Sequence, residues 1–305
     1  MKILVLGSAA GGGFPQWNCN CRNCRGIRDG SIRALPRTQS SIAVSPDSND
    51  WILINASPDI LTQIKSLPRL SPKREPRDAQ FRAVVLVDSQ IDHTVGLLML
   101  REGERLPIFC TANVHDDLAT GNPILRVLES YCGTEWHRIP IEPDSGFTAP
   151  GVDDLRFSAL AVAGKAPPYS PRREAPLPGD NIALTIEDRR SRKSLFYAPG
   201  LASVDEAVVE RMKRADCILI DGTFWTSDEM IRQGVGRKYA GDMGHLAQSG
   251  TDGMLAHLER IDGPRKVLIH INNTNPILDE DSVERRELAR AGVEVAYDGM
   301  EIDLP

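Results

Sequence analysis

The sequence predicts an α/β protein in which two sheets pack face to face with helices outside them, a four-layer αββα sandwich. Two observations predict this architecture. Predicted strands come first in pairs along the chain and then alternate with predicted helices, which favours two sheets over one doubly wound sheet. The 305 residues are 41% hydrophobic and 26% charged, a balance that is typical of globular proteins and excludes disorder over most of the chain.

In the first half of the chain, strands are predicted at apolar runs rich in β-branched residues. They are Lys2–Leu6, Ser41–Val44, Trp51–Asn55, Arg82–Val87 and Pro107–Thr111. Ser57-Pro58 is a helix-start signal, with a capping serine and a proline at the first helical position. The helices predicted in this half are Ile60–Leu67, Asp92–Arg101, Val114–Ala119 and Pro123–Glu129. Pro68–Arg77 is rich in proline and arginine and predicts a surface connection.

In the second half, short apolar strands alternate with amphipathic or charged helices. The predicted strands are Leu155–Val162, Asn181–Glu187, Ser194–Ala198, Cys217–Ile220, Lys266–His270 and Val293–Tyr297. The predicted helices are Ser203–Ala215, Gly253–Ile261 and Asp281–Ala291. Gly164–Asp180 holds five prolines and predicts a loop. Gly222–Gly244 is also expected to be mostly loop.

Charge and composition exclude several function classes. The net charge of −6 has the wrong sign for a protein that binds the phosphate backbone of nucleic acid. Aromatic residues make up only 5%, which argues against a stacking platform for single strands. No apolar run approaches the about 18 residues that span a bilayer. We therefore expect no nucleic-acid or membrane partner and a cytoplasmic location, where clustered cysteines are more often metal ligands than disulfides.

A glycine-rich segment, Gly7–Gly13, follows the first predicted strand. A dinucleotide site would need a helix directly after the glycines and an acidic residue about 20 residues further on. Phe14 and Pro15 follow instead, and no acidic residue ends a second strand at that distance. The segment favours a tight backbone turn that passes close to another element.

Three of the six cysteines fall within one short segment, Cys19-Asn20-Cys21-Arg22-Asn23-Cys24. Three thiolates at this spacing can wrap one tetrahedral ion, as structural zinc prefers, with a fourth ligand from elsewhere. A catalytic Cys-x-x-Cys pair usually opens a helix after a strand, whereas this cluster is expected to lie in a loop, residues 14–26. The spacing predicts structural zinc. The remaining cysteines are expected to be small core residues: Cys110, Cys132 and Cys217.

Polar side chains follow three buried strands at the points where the strands end. The first strand runs into Asp88-Ser89-Gln90-Ile91-Asp92-His93, and Asp221 and His270 follow two later strands. Strand ends are where α/β folds place their chemistry. Taken singly, these residues could be a helix cap, a turn residue and a satisfied strand-end histidine. Their coincidence favours one divalent-ion site, with zinc, manganese or ferrous iron as candidate ions.

His245 lies in a glycine-rich loop ahead of a predicted helix. There it can act as an acid, a base or a substrate ligand, or it can simply be the residue at which the helix begins. The other histidines have no acidic companions in the sequence and are expected to be structural: His115, His137 and His257.

The pattern Asp88-x-Gln90-x-Asp92-His93 resembles the H-x-H-x-D-H signature of metallo-β-lactamase-fold proteins. Further segments resemble one family within that group, which acts in the biosynthesis of the cofactor pyrroloquinoline quinone (PQQ). These segments are Gly12–Cys24, Asn55–Asp59 and His270–Pro276. The resemblance runs over the full chain. It implies an αββα sandwich of the metallo-β-lactamase type, formed by residues 1–305 as a single domain with the site at the sheet edges.

The resemblance also implies the ligands. Hydrolytic members hold two metals, and the first of these needs two early histidines, which are Asp88 and Gln90 here. It also needs a mid-chain histidine, yet the sequence has none between His137 and His245. A single active-site ion is therefore expected. The ligand set of the second metal is present: Asp92, His93, Asp221 and His270.

The zinc site of relatives with the cysteine cluster is completed by a histidine three residues after the last metal histidine. That position is Asn273 in this sequence. The resemblance therefore places Asn273 beside Cys19, Cys21 and Cys24 in the structural zinc site. Asparagine is a poor zinc ligand, so the identity of the fourth ligand stays open.

A single ion with open positions resembles a non-haem iron oxygenase site more than a two-metal hydrolase. The family resemblance implies Fe(II)-dependent hydroxylation of the tyrosine ring in a Glu–Tyr cross-linked substrate derived from a precursor peptide, with dioxygen as co-substrate. Zinc or manganese can take the place of iron. Asp88, Gln90 and His245 are expected to orient substrate or move protons. Two alternatives stay open: a carrier that helps to move PQQ or its precursor across the membrane, and a metal-dependent hydrolase.

Overall fold

The computed structural model describes residues 1–75 and 77–305. Its strands are β1 (Lys2–Gly7), β2 (Ser41–Ser45), β3 (Trp51–Ile54), β4 (Phe81–Val85), β5 (Leu106–Cys110), β6 (Thr134–Arg138), β7 (Leu155–Ala161), β8 (Ile182–Asp188), β9 (Lys193–Ala198), β10 (Cys217–Asp221), β11 (Arg265–Ile269), β12 (Val293–Val295) and β13 (Glu301–Asp303). The predicted surface connection Pro68–Arg77 includes Pro76, which lies outside the described residues. Its first residues, Pro68–Leu70, form a 3₁₀ turn.

The helices are short, with at most nine residues each. They are α1 (Arg22–Asp29), α2 (Ile60–Ser66), α3 (Ile91–Thr94), α4 (Ala112–Ala119), α5 (Ile124–Leu128), α6 (Glu206–Arg214), α7 (Glu229–Arg232), α8 (Met254–Glu259) and α9 (Val283–Arg290). Across the described part of the chain, none of them combines the length and apolar character that crossing a membrane requires.

The strands form two sheets with the orders β13-β1-β2-β3-β4-β5-β6 and β12-β11-β10-β9-β8-β7. Strands β3 to β6 of the first sheet run parallel, as do β9 to β12 of the second. Parallel strands end at the same edge of a sheet. The segments after β10 and β11 therefore emerge together at one edge of the second sheet. Strand β4 belongs to the first sheet, and its end lies beside them because the two sheets pack face to face.

The side chains of each strand alternate between two apolar layers, as the pleat requires. In β1, Ile3 and Val5 face the core between the sheets, while Leu4 packs on the outer face with the buried residues of α2, α4 and α5. In β11, Val267 faces the inter-sheet core and Leu268 packs outward with residues of α6, α8 and α9. The predicted αββα sandwich of the metallo-β-lactamase type is confirmed.

Two edge strands were not predicted. Strands β6 and β13 lie at the two edges of the first sheet. The Thr134–Arg138 strand is mostly exposed, and Ile302 is the single buried residue of β13. Edge strands pair through their backbone and need no continuous apolar run, so neither segment shows the pattern that identified the central strands.

The helix predicted over Asp92–Arg101 is interrupted. The structure has α3, followed by a 3₁₀ segment over Val95–Leu100. Gly96 causes the break, because its amide donates to Ala56 O at 2.9 Å instead of closing a helical turn. A Cβ on Gly96 would lie 2.1 Å from Ser57 O, so only glycine fits this close approach.

The glycine-rich segment is the tight turn that its sequence favours. Gly12 and Gly13 have φ angles of 96° and 69°, which side chains rarely allow. A Cβ on Gly7 would lie 2.1 Å from Gln39 O, and Ala9 bridges to both Gln39 and Ile271. The turn thereby brings β1 of the first sheet next to the end of β11 in the second.

Candidate metal centres

A cavity of about 360 Å³ opens at the edge where the parallel strands end. Asp92 and His93 reach it from the segment after β4, and His270 reaches it from the end of β11. The glycine-rich turn passes beside them, since a Cβ on Gly11 would lie 3.4 Å from the Asp92 carboxyl group. This volume falls within the range of small-molecule sites.

Asp92, His93 and His270 offer ligand atoms that all lie within 4.8 Å of one another. His93 Nε2 is buried without a hydrogen-bond partner among the described residues and lies 4.0 Å from Asp92 Oδ2. His270 Nε2 lies 3.1 Å from the same oxygen. A buried imidazole nitrogen with no partner is costly. A metal ion between these three side chains would satisfy it, so the donor set fits a divalent ion.

Asp88 holds the His93 ring from the opposite side. Its two carboxylate oxygens lie 2.9 and 2.8 Å from His93 Nδ1. Burial lowers the pKa of His93, but the carboxylates of Asp88 and Asp92 outweigh it and raise that pKa to about 9. An ion that binds Nε2 must displace the proton that the charged His93 ring carries on that nitrogen. This contact makes Asp88 a positioning residue for His93. Asp88 also lines the cavity, and its role in orienting substrate or moving protons stays a prediction.

Asp88→Asn is expected to weaken metal binding at the Asp92–His93–His270 group by about 10- to 100-fold, the usual cost of losing such a supporting carboxylate. The neutral amide of the new asparagine cannot form the charge-assisted hydrogen bond that the Asp88 carboxylate forms with His93 Nδ1. The ring is therefore less firmly oriented and less basic. Competition against a chelator at equilibrium measures the affinity, and circular dichroism checks the fold. An affinity equal to that of the unsubstituted protein would contradict the positioning role.

Asp221 lies with His245 rather than with Asp92. Asp221 Oδ2 is 2.7 Å from His245 Nδ1 and accepts the Leu201 amide at 3.0 Å. Burial raises the pKa of Asp221, but His245 outweighs it and holds that pKa below the ordinary value. Asp221, His245 and His270 form a second group of possible ligands, which shares His270 with the first. That Asp221 is a fourth ligand of a single ion stays a prediction.

Thr223 connects the two groups. Its hydroxyl lies 2.9 Å from His270 Nδ1, 3.1 Å from His245 Nδ1 and 2.6 Å from Asp221 Oδ1. If His270 donates its Nδ1 proton to Thr223, the lone pair of Nε2 faces Asp92. In that tautomer a metal ion between Nε2 and the Asp92 carboxylate would satisfy both groups.

The proline-rich loop 164–180 covers one side of the cavity. Gln90 Nε2 donates to Lys165 O at 2.9 Å, and the Tyr169 hydroxyl donates to Ser89 O. Arg172 is bonded to three carboxylates on the loop and on α4: Asp116, Asp117 and Asp180. The loop is therefore anchored to the segment that carries Asp88 and His93.

The cysteine cluster forms a separate site behind the cavity. The side-chain amide nitrogen of Asn273 lies 3.1, 3.6 and 3.3 Å from the sulfurs of Cys19, Cys21 and Cys24. Hydrogen bonds from the Cys21 thiol and the Asn273 amide lower the pKa of Cys24 to about 7 against the effect of burial. Clustered buried sulfurs with one thiolate already favoured fit a tetrahedral zinc site. The Asn273 side chain donates hydrogen bonds to the three sulfurs, and that it is the fourth zinc ligand stays a prediction.

The prediction that these cysteines lie in a loop is wrong in part. Cys21 is the N-cap of α1 and accepts the Cys24 amide, so Cys24 sits in the first turn of a helix. The helix is short and highly charged, and only Asn23, Cys24 and Gly26 are buried. The sequence therefore has no helical pattern of apolar residues by which it could be predicted. Asn23 Nδ2 donates to Asn273 O and Asn275 O, which ties α1 to the segment that follows His270.

A buried carboxyl group, Glu229, braces the same segment. It accepts the Thr274 hydroxyl and the Trp225 amide at 2.5 and 2.7 Å, and it is 4% exposed. Burial raises the pKa of Glu229 from 4.5 to about 7. Between these values the folded protein binds one proton more than the unfolded chain. The free energy of unfolding therefore decreases as the pH rises through this interval.

Glu229→Gln is expected to remove that pH dependence. At about 1.36 kcal/mol per pKa unit, the unsubstituted protein should lose roughly 3 kcal/mol of its free energy of unfolding between pH 5 and pH 8. The variant should not show this loss. Urea unfolding at both pH values measures the difference, and Glu102→Gln, at a side chain that is 75% exposed, is the control. Parallel pH profiles for Glu229→Gln and the unsubstituted protein would contradict the assignment.

The site contains residues that sequence reasoning missed. Thr223 follows Asp221 by two positions, so the strand-end pattern could have identified it. Lys165 and Arg173 also line the cavity, but nothing in a proline-rich segment indicates which of its residues face a site. His115 and His137 lie outside the cavity, stacked on Trp136 and Phe109 respectively.

Residues 50–271 match the sequence model of the family described as Beta-lactamase superfamily domain. Over its full length the chain is similar to Coenzyme PQQ synthesis protein B of Azoarcus sp. (strain BH72), with 58% identity over 307 residues covering 100% of both chains. It is 59% identical over 304 residues to the protein of the same name from Cupriavidus necator, covering 99% of each.

Solved structures give the same picture. The crystal structure of Zn²⁺-bound PqqB from Methylobacterium extorquens matches with a TM-score of 0.90 and 39% identity over 100% of both chains. A diphosphatase from the PhnP family matches with a TM-score of 0.67 and 17% identity, over 100% of this chain and 98% of that one. The second similarity concerns the fold alone.

Proposed function

Because the chain belongs to the coenzyme PQQ synthesis protein B family, within the β-lactamase superfamily, we propose that it hydroxylates the tyrosine ring of a Glu–Tyr cross-linked precursor in PQQ biosynthesis. The observation that carries this proposal is the Asp92–His93–His270 group. Two imidazoles and one carboxylate beside an open cavity are the donor set of non-haem iron oxygenases, which leave positions free for substrate and dioxygen.

In this proposal Asp92, His93 and His270 hold one ferrous ion, and Asp221 is available as a further ligand. Bound ferrous iron supplies the one-electron chemistry that lets dioxygen react with a phenol ring. Overall, one oxygen atom enters a C–H bond of the ring, and the other is reduced to water with two protons and two electrons from an external reductant. The cavity of about 360 Å³ accommodates a small molecule of this kind.

His245 is placed to exchange a proton with bound substrate. It lines the cavity, and its Nδ1 is held by Asp221 Oδ2 at 2.7 Å. Burial lowers the pKa of His245, but Asp221 outweighs it and raises that pKa above the ordinary value. His245 Nε2 is then the atom that can give a proton to, or take one from, the phenol. Gln90 lines the same cavity, and its predicted role in orienting substrate stays part of the proposal.

The experiment loads the protein with Fe(II) under anaerobic conditions and then adds dioxygen, ascorbate and the Glu–Tyr diamino acid. The substrate should gain the mass of oxygen, and the added atom should carry the label when isotopically labelled dioxygen is used. Asp153→Asn, at an exposed position away from the cavity, should behave like the unsubstituted protein. A substrate of unchanged mass would refute hydroxylation.

Hydrolysis is the second candidate, and a specific observation favours it. Asp221, His245 and His270 form a second group that could hold an ion, and two-metal sites are typical of hydrolases of this fold. Metal analysis separates the two proposals. One iron and one zinc per chain support the oxygenase, whereas two zinc ions at the strand ends support the hydrolase.

A further inference from the structure

Two positively charged side chains of the 164–180 loop line the cavity without an internal counter-ion. Lys165 and Arg173 both lie on the cavity wall with Asp92 and His270, and both are half-buried. Among the described residues, neither has a carboxylate within ion-pair distance. The neighbouring Arg172 differs, because it contacts three carboxylates. The positive charges of Lys165 and Arg173 are therefore available to pair with an anionic ligand.

The backbone of Lys165 is wedged between the two segments that carry site histidines. Its carbonyl accepts the Gln90 side-chain amide at 2.9 Å, three residues before His93. On the other side, a Cβ on Gly244 would lie 2.8 Å from Lys165 N, so only the glycine next to His245 permits this approach. Lys165 is thus positioned against the site by fixed contacts.

Side-chain contacts anchor the loop segment that carries Arg173. The Arg173 guanidinium donates to Ala166 O at 2.5 Å, and this bond folds the loop back on itself. Ser170 Oγ donates to the buried Asp117 at 2.8 Å, and Arg172 contacts the same carboxylate at 2.7 Å. Anchored cations in a cleft attract and orient an anion without first having to be ordered.

We infer that Lys165 and Arg173 form a carboxylate clamp that binds a small molecule bearing two or more carboxylates. Arginine matches a carboxylate in a bidentate geometry, and lysine offers a compact positive charge beside it. The carboxylates of Asp88 and Asp92 are engaged by His93 and His270, so they leave these two cations available. The inference rests on the proposed function for the identity of the ligand, the Glu–Tyr diamino acid, and not for its chemical class.

The test measures binding to the zinc-loaded protein by titration calorimetry, which needs no turnover. The probes are the Glu–Tyr diamino acid and PQQ, both polycarboxylates. Lys165→Gln and Arg173→Gln should each weaken binding about tenfold or more, as expected for a lost charge-assisted hydrogen bond, while Lys165→Arg should retain most of the affinity. Arg190→Gln is the control, because Arg190 is exposed in the β8–β9 turn and contacts Asp154.

The outcomes separate the clamp from the proposed reaction. Unchanged affinity in both glutamine variants, with hydroxylation of the diamino acid intact, overturns the clamp and leaves the reaction standing. PQQ binding that depends on both cations, without binding of the diamino acid, supports the clamp and removes that substrate. An unsubstituted protein that binds neither probe overturns the clamp.

Discussion

Asp92→Ala is expected to abolish iron binding at the strand ends and hydroxylation with it. Asp92 is the carboxylate of the Asp92–His93–His270 group, and it balances the charge of an ion that two neutral imidazoles cannot balance. Its loss should weaken binding by more than roughly a hundredfold, beyond the effect of losing a supporting partner. The fold should survive, because Asp88 still holds His93 and Thr223 still contacts His270.

Chelator competition measures the iron affinity, and thermal unfolding verifies the fold. Asp153→Asn serves as the matched control, since it also removes one carboxylate charge but from an exposed position. If Asp92→Ala keeps the affinity of the unsubstituted protein while His245→Ala loses it, the ion is bound by the Asp221–His245–His270 group instead. That result would contradict the assignment.

Cys24→Ser is expected to empty the structural zinc site and to lower the free energy of unfolding by more than about 4 kcal/mol, because loss of a structural metal belongs to the largest class of single-substitution effects. The three sulfurs lie together in the outer core of the second sheet. Hydroxylation should also decrease. Asn23 and Asn273 connect the cysteine cluster to the segment after β11, and that segment begins with His270.

Zinc content per chain and urea unfolding measure the two effects. Cys132→Ser is the control, because Cys132 is half-buried and lies outside the cluster. Asn273→His should tighten zinc binding if the side chain at position 273 occupies the fourth corner. Retention of one zinc per chain by Cys24→Ser, with unchanged stability, would contradict the structural role.

The sequence was sufficient to predict the central strands and the residues at their ends. Buried strands such as β10 are continuous apolar runs, and the polar residue that follows each one marks the sheet edge. Asp92 and His93 meet His270 because the ends of the parallel strands in the two packed sheets lie side by side. The cysteine spacing likewise identified a site, since three thiolates so close in sequence are close in space in almost any local conformation.

The sequence was insufficient where a contact depends on packing between distant segments. Asp221 precedes His245 by 24 positions, and only the fold shows that their side chains lie 2.7 Å apart. Asp88 lies in the segment that resembles a metal-binding signature, yet its carboxylate contacts the back of the His93 ring. The position of the Lys165 backbone depends on the close approach of Gly244, which no local pattern reveals.

Anomalous diffraction at the iron and zinc absorption edges, from crystals grown anaerobically with Fe(II), tests the two-centre account most directly. We expect one iron peak among the ligand atoms of Asp92, His93 and His270, and one zinc peak among the sulfurs of Cys19, Cys21 and Cys24. Two zinc peaks at the strand ends, or no iron peak beside Asp92, would contradict it.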